Sequence, residues 1–169
     1  MTSIVGTWRL VRAEAFDANG KPQPAPYGGA PLGRVTFTSS GRMMAMTGDG
    51  RLEVPAGHGR EYNTYAGTYT FDGKRLMTRV DSCSNPAYMS TEQVREVSHE
   101  GALMVLRPPV RTYLGRPPEQ RVLYWERISG IDARRHFRWL EPKYQITAEG
   151  PTLVVICDCP DLGIWPAPV

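Results

Sequence analysis

The chain has 169 residues, the length of one domain and enough to bury a core without disulfide or metal staples. Its formal net charge of +3, with 22% charged residues, is too small to point to nucleic acid or an anionic membrane surface. No apolar run approaches the roughly 20 residues of a membrane-spanning helix.

The first ten residues, MTSIVGTWRL, lack the basic segment followed by a long apolar segment that marks a signal peptide. The three cysteines, Cys83, Cys157 and Cys159, are an odd number, and two of them fall in CDC, which is no secreted disulfide framework. The expectation is a protein of the reducing cytoplasm.

From the N-terminus, TWRLVRAEAF (7–16) alternates as a strand does, and DANGK (17–21) supplies a turn. A Pro/Gly-rich stretch, PQPAPYGGAPLG (22–33), interrupts the rhythm and forms no regular element. Strands follow at GRVTFTS (33–39) and RMMAMT (42–47), joined by SSGR, and then a polar, Gly-containing loop over 48–61. AGTYTF (66–71) and RLMTRVDS (75–82) flank the turn FDGK, and TEQVREVS (91–98) and ALMVLR (102–107) flank HEGA. A loop with a Pro pair at each end, RPPVRTYLGRPPE (107–119), leads to RVLYWERI (121–128). None of these runs carries a helical period, so the class is all-β, a sandwich or barrel. Long ordered connections on a barrel sit at its mouth and gate the interior.

Beyond residue 128 the character changes. SGIDARRHFRWLEP (129–142) leaves a short helix and a strand both open around 133–140, and KYQIT with TLVVICDC reads as one more hairpin. The division is therefore a barrel over 1–128 and an extension over 129–169 packed on the same domain.

Strand alternation places Trp8, Leu10, Arg12 and Glu14 on one face of the first strand unless a bulge intervenes. If that face is the inside, Arg12 and Glu14 need each other or water, because a lone buried charge is costly. Arg127 on the last barrel strand neighbours the first strand in a closed antiparallel barrel. A guanidinium over the Trp8 indole is worth about 0.5–2 kcal/mol and seals one end.

Gly6-x-Trp8 with Arg127 resembles the lipocalin pattern. The closer resemblance is to the bacterial and fungal lipocalin-like domain family of small cytoplasmic proteins. The phrases that carry it are GTWRLV (6–11), DANGK (17–21), GRVTFTSSGRMMA (33–45), YAGTYTFDG (65–73), TEQVRE (91–96) and LYWER (123–127). The resemblance covers about residues 4–128. It implies a single up-and-down antiparallel β-barrel of about 8 to 10 strands with a small-molecule cavity, and leaves the tail unaccounted for. The strand at 75–82 sets Met77, Arg79 and Asp81 against Leu76, Thr78 and Val80; an apolar-leaning face is ordinarily core, but the resemblance implies polar residues on the inner face, which would put Arg79 and Asp81 inside. In TEQVREV the acids Glu92 and Glu96 suit the solvent face, which, with the resemblance, puts Gln93 and Arg95 inside. An inward Arg95 offers a planar fork of donors to a carboxylate, enolate or phenolate, or else pairs with Glu14 or Asp81 and binds nothing. Tyr65 and Tyr69 share a face and point either at a ligand or at the neighbouring loop. Met43, Met44 and Met46 read as ordinary core filling.

Three functions compete. In the first, the barrel binds a small, largely apolar molecule whose polar end is held by Arg95, Gln93, Tyr65, Tyr69, Arg79 and Arg12. In the second, it is a cofactor-free isomerase, cyclase or hydratase, with Glu14 or Asp81 as base and Arg95 stabilising an oxyanion. In the third, the barrel is packed solid and the extra hairpin joins a homodimer. His58, His99 and His136 have no metal-ligand spacing, Cys83 is a bland thiol, and no phosphate loop, dinucleotide fingerprint or nucleophile elbow is present. No metal, cofactor, nucleic-acid or membrane partner is expected.

Overall fold

The computed structural model describes residues 3–57, 59–113 and 115–129, together with the backbone of 143–147 and 150–154. It forms two compact units, Met1–Ile131 and Asp132–Val169. In the first, β1 (Gly6–Phe16), β2 (Pro22–Gln23), β3 (Pro31–Phe37), β4 (Arg42–Asp49), β5 (Tyr62–Phe71), β6 (Arg75–Cys83), β7 (Glu92–Glu100), β8 (Leu103–Arg107) and β9 (Gln120–Arg127) make one antiparallel sheet. Neighbours in sequence are neighbours in the sheet, and β9 pairs back onto β1, so eight strands close into a barrel with β2 appended to the end of β1. The all-β class expected from the turn rhythm and the up-and-down barrel implied by the family resemblance are the observed fold. In the second unit, β10 (Lys143–Thr147) and β11 (Gly150–Val154) form an antiparallel hairpin. The stretch 133–140, with His136, and also His58, Cys157 and Cys159, lies outside the described residues.

The core follows from period-2 alternation. Trp8, Leu10, Val35, Phe37, Met43, Leu76, Val80, Met104, Leu106, Leu123 and Trp125 are buried in one interior cluster. Full burial of such a side chain is worth about 1.5–3 kcal/mol. Met43 belongs to this cluster, but Met44, one pleat out of phase, is 62% exposed, so the methionines of β4 do not share a face. A smaller apolar cluster, Val105, Val122 and Tyr124, lies on the outer face of β8 and β9.

Two bulges decide which polar residues see the interior. Along the β1–β9 ladder the register shifts between Leu10 and Arg12, with Val11 as the extra residue. The shift turns Ala13 and Ala15 inward and Arg12 and Glu14 outward. Without it, two charges would enter the core and two alanines would leave it, which costs more than the lost ladder bond. On β6 the inner face is Leu76, Thr78 and Val80, so Arg79 and Asp81 point out. The second bulge adds Asp81 opposite Ala66 and Gly67, and a Cβ at Gly67 would lie 2.0 Å from the Arg79 carbonyl oxygen. Only glycine permits that approach. The inward placement expected of Arg12, Glu14, Arg79 and Asp81 is therefore corrected.

Strand direction alternates, so the connections divide between two ends. At one end are the N-terminal segment and the short turns 38–41, 72–74 and 101–102. Asp72 tightens the second of these by accepting from the N–H groups of Lys74 and Arg75 at 2.8 and 2.7 Å. At the other end are the long connections 17–30, 50–61, 84–91 and 108–119.

The short-turn end is shut. The Arg127 guanidinium lies 4.3 Å from the centre of the Trp8 ring, and the Trp8 indole N–H donates to the Ile4 carbonyl at 2.9 Å. Arg127 also donates to the carbonyls of Ser3 and Val5, which ties residues 3–5 across the barrel end. Gly6 makes that return possible. Its φ of +134° is strained for any residue with a Cβ, and a Cβ there would stand 3.0 Å from Arg127 Nη1. Tyr69 sits at this end as well, edge-on to Phe37 at 5.1 Å, with its hydroxyl donating to the Thr38 carbonyl at 2.9 Å.

Candidate functional site

Beneath the four long connections lies a cavity of about 290 Å³. That is near the lower limit of small-molecule pockets, roughly 300–1,000 Å³. Its deep wall is apolar, built from Val35, Phe37, Met43, Leu76, Leu106, Leu123 and Trp125. Its upper wall is polar and comes mostly from the connections, with Tyr27, Arg60, Glu61, Tyr88, Arg111 and Tyr113. Arg95 and Arg121 reach the same space from β7 and β9. Among the described residues, four arginines thus line the cavity against a single carboxylate, Glu61.

Arg121 is the centre of the polar wall. It shares the inward face of β9 with Leu123 and Trp125, and its side chain is 2% exposed. A buried guanidinium requires carboxylate partners, and two are in place. Nε donates to Glu119 at 2.8 Å, and Nη1 donates to Glu61. Its charge is held more firmly than an ordinary arginine's: burial opposes the charge, and the bond to Glu61, its attraction and the neighbouring groups outweigh that opposition. Two rings sandwich the group, Tyr113 at 3.6 Å and Tyr27 at 5.2 Å. Burial pushes both phenols above their ordinary range, so they stay protonated and neutral near pH 7. Glu61 also accepts from the Tyr27 backbone N–H at 3.3 Å, fixing the connection that contains Tyr27, a non-glycine residue at φ +56°.

Next to this centre the wall is braced from outside the cavity. Asp49, at the end of β4, holds Arg51 through both carboxylate oxygens. The Arg51 hydrogen bonds push the Asp49 carboxyl down to about 2. Arg60 donates to the carbonyls of Asp49 and Leu52 at 2.7 and 3.2 Å and so fastens the 50–61 connection.

The residues singled out in the sequence are dispersed. Arg95 and Tyr65 line the cavity, with the guanidinium 5.8 Å from the ring centre. Gln93 points inward but both ends of its amide are engaged: Oε1 accepts from Arg111 at 2.8 Å, and Nε2 donates to Thr91 at 2.9 Å. It positions Arg111 rather than meeting a ligand. Tyr69, Gly6, Trp8 and Arg127 belong to the shut end. Glu14 and Arg12 sit on the outer face around Tyr124, whose hydroxyl donates to Glu14 at 3.0 Å beneath the Arg12 guanidinium. Asp81 pairs with Arg42 at the surface, and Arg79 is exposed. Cys83 faces Tyr65 across the β5–β6 ladder, with its thiol 3.1 Å from the Asn85 carbonyl, and His99 is exposed.

Sequence reasoning missed Arg121, Glu61, Tyr27, Arg111 and Tyr113. A signal existed for Arg121: counting back in twos from Arg127 through Trp125 and Leu123 puts it on the inner face. The others lie in connections without periodicity. Among the described residues no three of His, Cys, Asp or Glu converge as a metal site would require, and no helix is long and apolar enough to cross a membrane.

A family model described as the lipocalin-like domain matches residues 5–128, which span the whole barrel. No curated protein matches the chain.

Proposed function

The chain belongs to the lipocalin-like domain family, and from that premise we propose that its barrel binds a small, largely apolar molecule inside the cavity, with the polar end held by the arginine-rich upper wall. The observation that carries this reading is the polarity of the cavity itself. Apolar side chains form its depth and guanidiniums its mouth, so a molecule with one apolar and one polar end is matched along its length. Arg95 and Tyr65 contact the ligand, Gln93 holds Arg111 in place, and the tyrosines shield the polar end from water.

The acid/base reading has lost its intended carboxylates, since Glu14 and Asp81 face away from the cavity. Glu61 is on the wall, but its oxygens are taken by Arg121 and the Tyr27 N–H.

Native mass spectrometry of freshly purified protein tests the binding reading. A non-covalent adduct that disappears on denaturation, and is absent when Ala45 on the cavity wall is enlarged to Leu, is the expected result. An adduct that persists unchanged in Ala45→Leu places the ligand elsewhere and defeats the proposal.

A further inference from the structure

The charges on the cavity wall do not all have partners, and the remainder is informative. Arg121 is matched by Glu61 and Glu119, and Arg116 lies 3.8 Å from Glu119 and 4.0 Å from Glu61, so these four groups balance. Arg60 is committed to backbone carbonyls. Arg95 and Arg111 are left. Each has one hydrogen bond to a neutral acceptor, Val94 O at 2.7 Å and Gln93 Oε1 at 2.8 Å. Neither has a carboxylate within 4.0 Å among the described residues. Both line the cavity, and both guanidiniums act electrostatically on the Tyr113 phenol, lowering its pKa against the larger effect of burial.

The unsatisfied polar atoms point the same way. Three buried side-chain atoms among the described residues lack a partner: Arg116 Nε, Arg121 Nη2 and Trp125 Nε1. All are N–H donors, and the last two belong to side chains on the cavity wall. Buried donors without acceptors are rare in native proteins, and water or a bound molecule normally completes them. Arg121 and Trp125 stand four residues apart on one strand, about 13 Å along it. The cavity therefore lacks negative charge at one end and acceptors along its length.

Resting on the binding role proposed above, we propose that the ligand is an organic carboxylate with an apolar body and a second acceptor oxygen. Arg95 and Arg111 receive the carboxylate, the free N–H of Arg121 on the same polar wall shares it, and the free N–H of Trp125, deeper in the cavity, donates to the second acceptor. Two guanidiniums without carboxylates suit one planar anion, which each binds through its fork of donors. The apolar depth disfavours a small inorganic anion, which has nothing to bury there.

Isothermal titration of the full chain at pH 7 with 4-methoxycinnamate and 4-methoxycinnamamide separates the possibilities, because the two differ in charge and hardly in shape. The carboxylate is expected to bind at least tenfold more tightly than the amide. In Arg95→Gln and Arg111→Gln, with folding checked by thermal melting, that advantage is expected to shrink severalfold or vanish. Equal or tighter binding of the amide overturns the carboxylate while leaving the cavity as a binding site. A preference that survives both substitutions overturns the assignment to Arg95 and Arg111. No binding of either probe at millimolar concentration overturns this inference, while the binding role stands or falls on the native adduct and its loss in Ala45→Leu.

Discussion

The two ends of this barrel use the same residue types for opposite purposes. At the shut end an arginine and a tryptophan, Arg127 and Trp8, lie against each other, and every donor of the pair that can be traced ends on a backbone carbonyl of residues 3–5. Along the cavity Arg121 and Trp125 occupy the same strand face, from the open rim down to the apolar depth, yet each keeps a buried N–H without a partner. The shut end is complete in itself. The cavity leaves two donors over. The difference comes from the connections: short turns and a folded-back N-terminus bring backbone carbonyls over Trp8, whereas long connections bring side chains that stand back from Trp125 and leave space.

The sharpest way to break this contrast is to remove the anchor of each end. Trp8→Ala is expected to cost about 3–5 kcal/mol in urea unfolding, because a buried aromatic leaves a cavity that the tight turns cannot close. Arg121→Met is expected to cost a similar amount, about 3–5 kcal/mol, for a different reason: it strands Glu61 and Glu119 as buried charges. Replacing all three as Arg121→Met, Glu61→Gln and Glu119→Gln should recover most of that loss, while no second substitution rescues Trp8→Ala. Recovery is the signature of an ion network; its absence would make Arg121 a packing residue like Trp8.

Filling the open end sharpens the contrast. Ala45→Leu projects into the cavity and is expected to cost about 1–3 kcal/mol if the space is tight, with loss of ligand uptake in either case. The outer face provides the smallest effect. Glu14→Gln removes a half-exposed partner of Arg12 and is expected to change stability by less than about 1 kcal/mol and leave ligand uptake intact. Uptake abolished by Glu14→Gln would restore that residue to the site.

Acid exposes the brace of the open end. The Asp49 carboxyl is held near 2, below an ordinary aspartate at about 3.9. A lowered carboxyl contributes stability above its unfolded value, and the contribution is lost as pH falls through the folded one. The urea midpoint is therefore expected to fall between about pH 4 and pH 2, and to fall less over that window in Asp49→Asn.

The legible parts of this protein are those that local chemistry dictates. Alternating runs such as GRVTFTS and RVLYWERI separated by Gly-, Asp- and Asn-bearing turns admit no helix, and Gly6, Trp8 and Arg127 carry their roles in residue type alone. Arg95 was legible for the same reason, since Gln93, Arg95 and Val97 alternate without interruption through β7. The outward placement of Arg12 and Glu14 was not legible. One extra residue at Val11 reverses every side chain after it, and whether a bulge forms depends on the strand alongside, which the local pattern does not contain. The site itself was hidden more deeply. Tyr27, Glu61, Arg111 and Tyr113 come from connections between 26 and 114, where no period marks an inside, and they meet around Arg121 only because the barrel closes and brings its long connections to one rim. By itself, then, the sequence determined the strands, the turns and the sealed end, because each is a short-range contest between alternation, turn geometry and burial. Only the tertiary structure decided which charges face the interior and which loops share it, because those depend on register and closure between residues far apart in the chain.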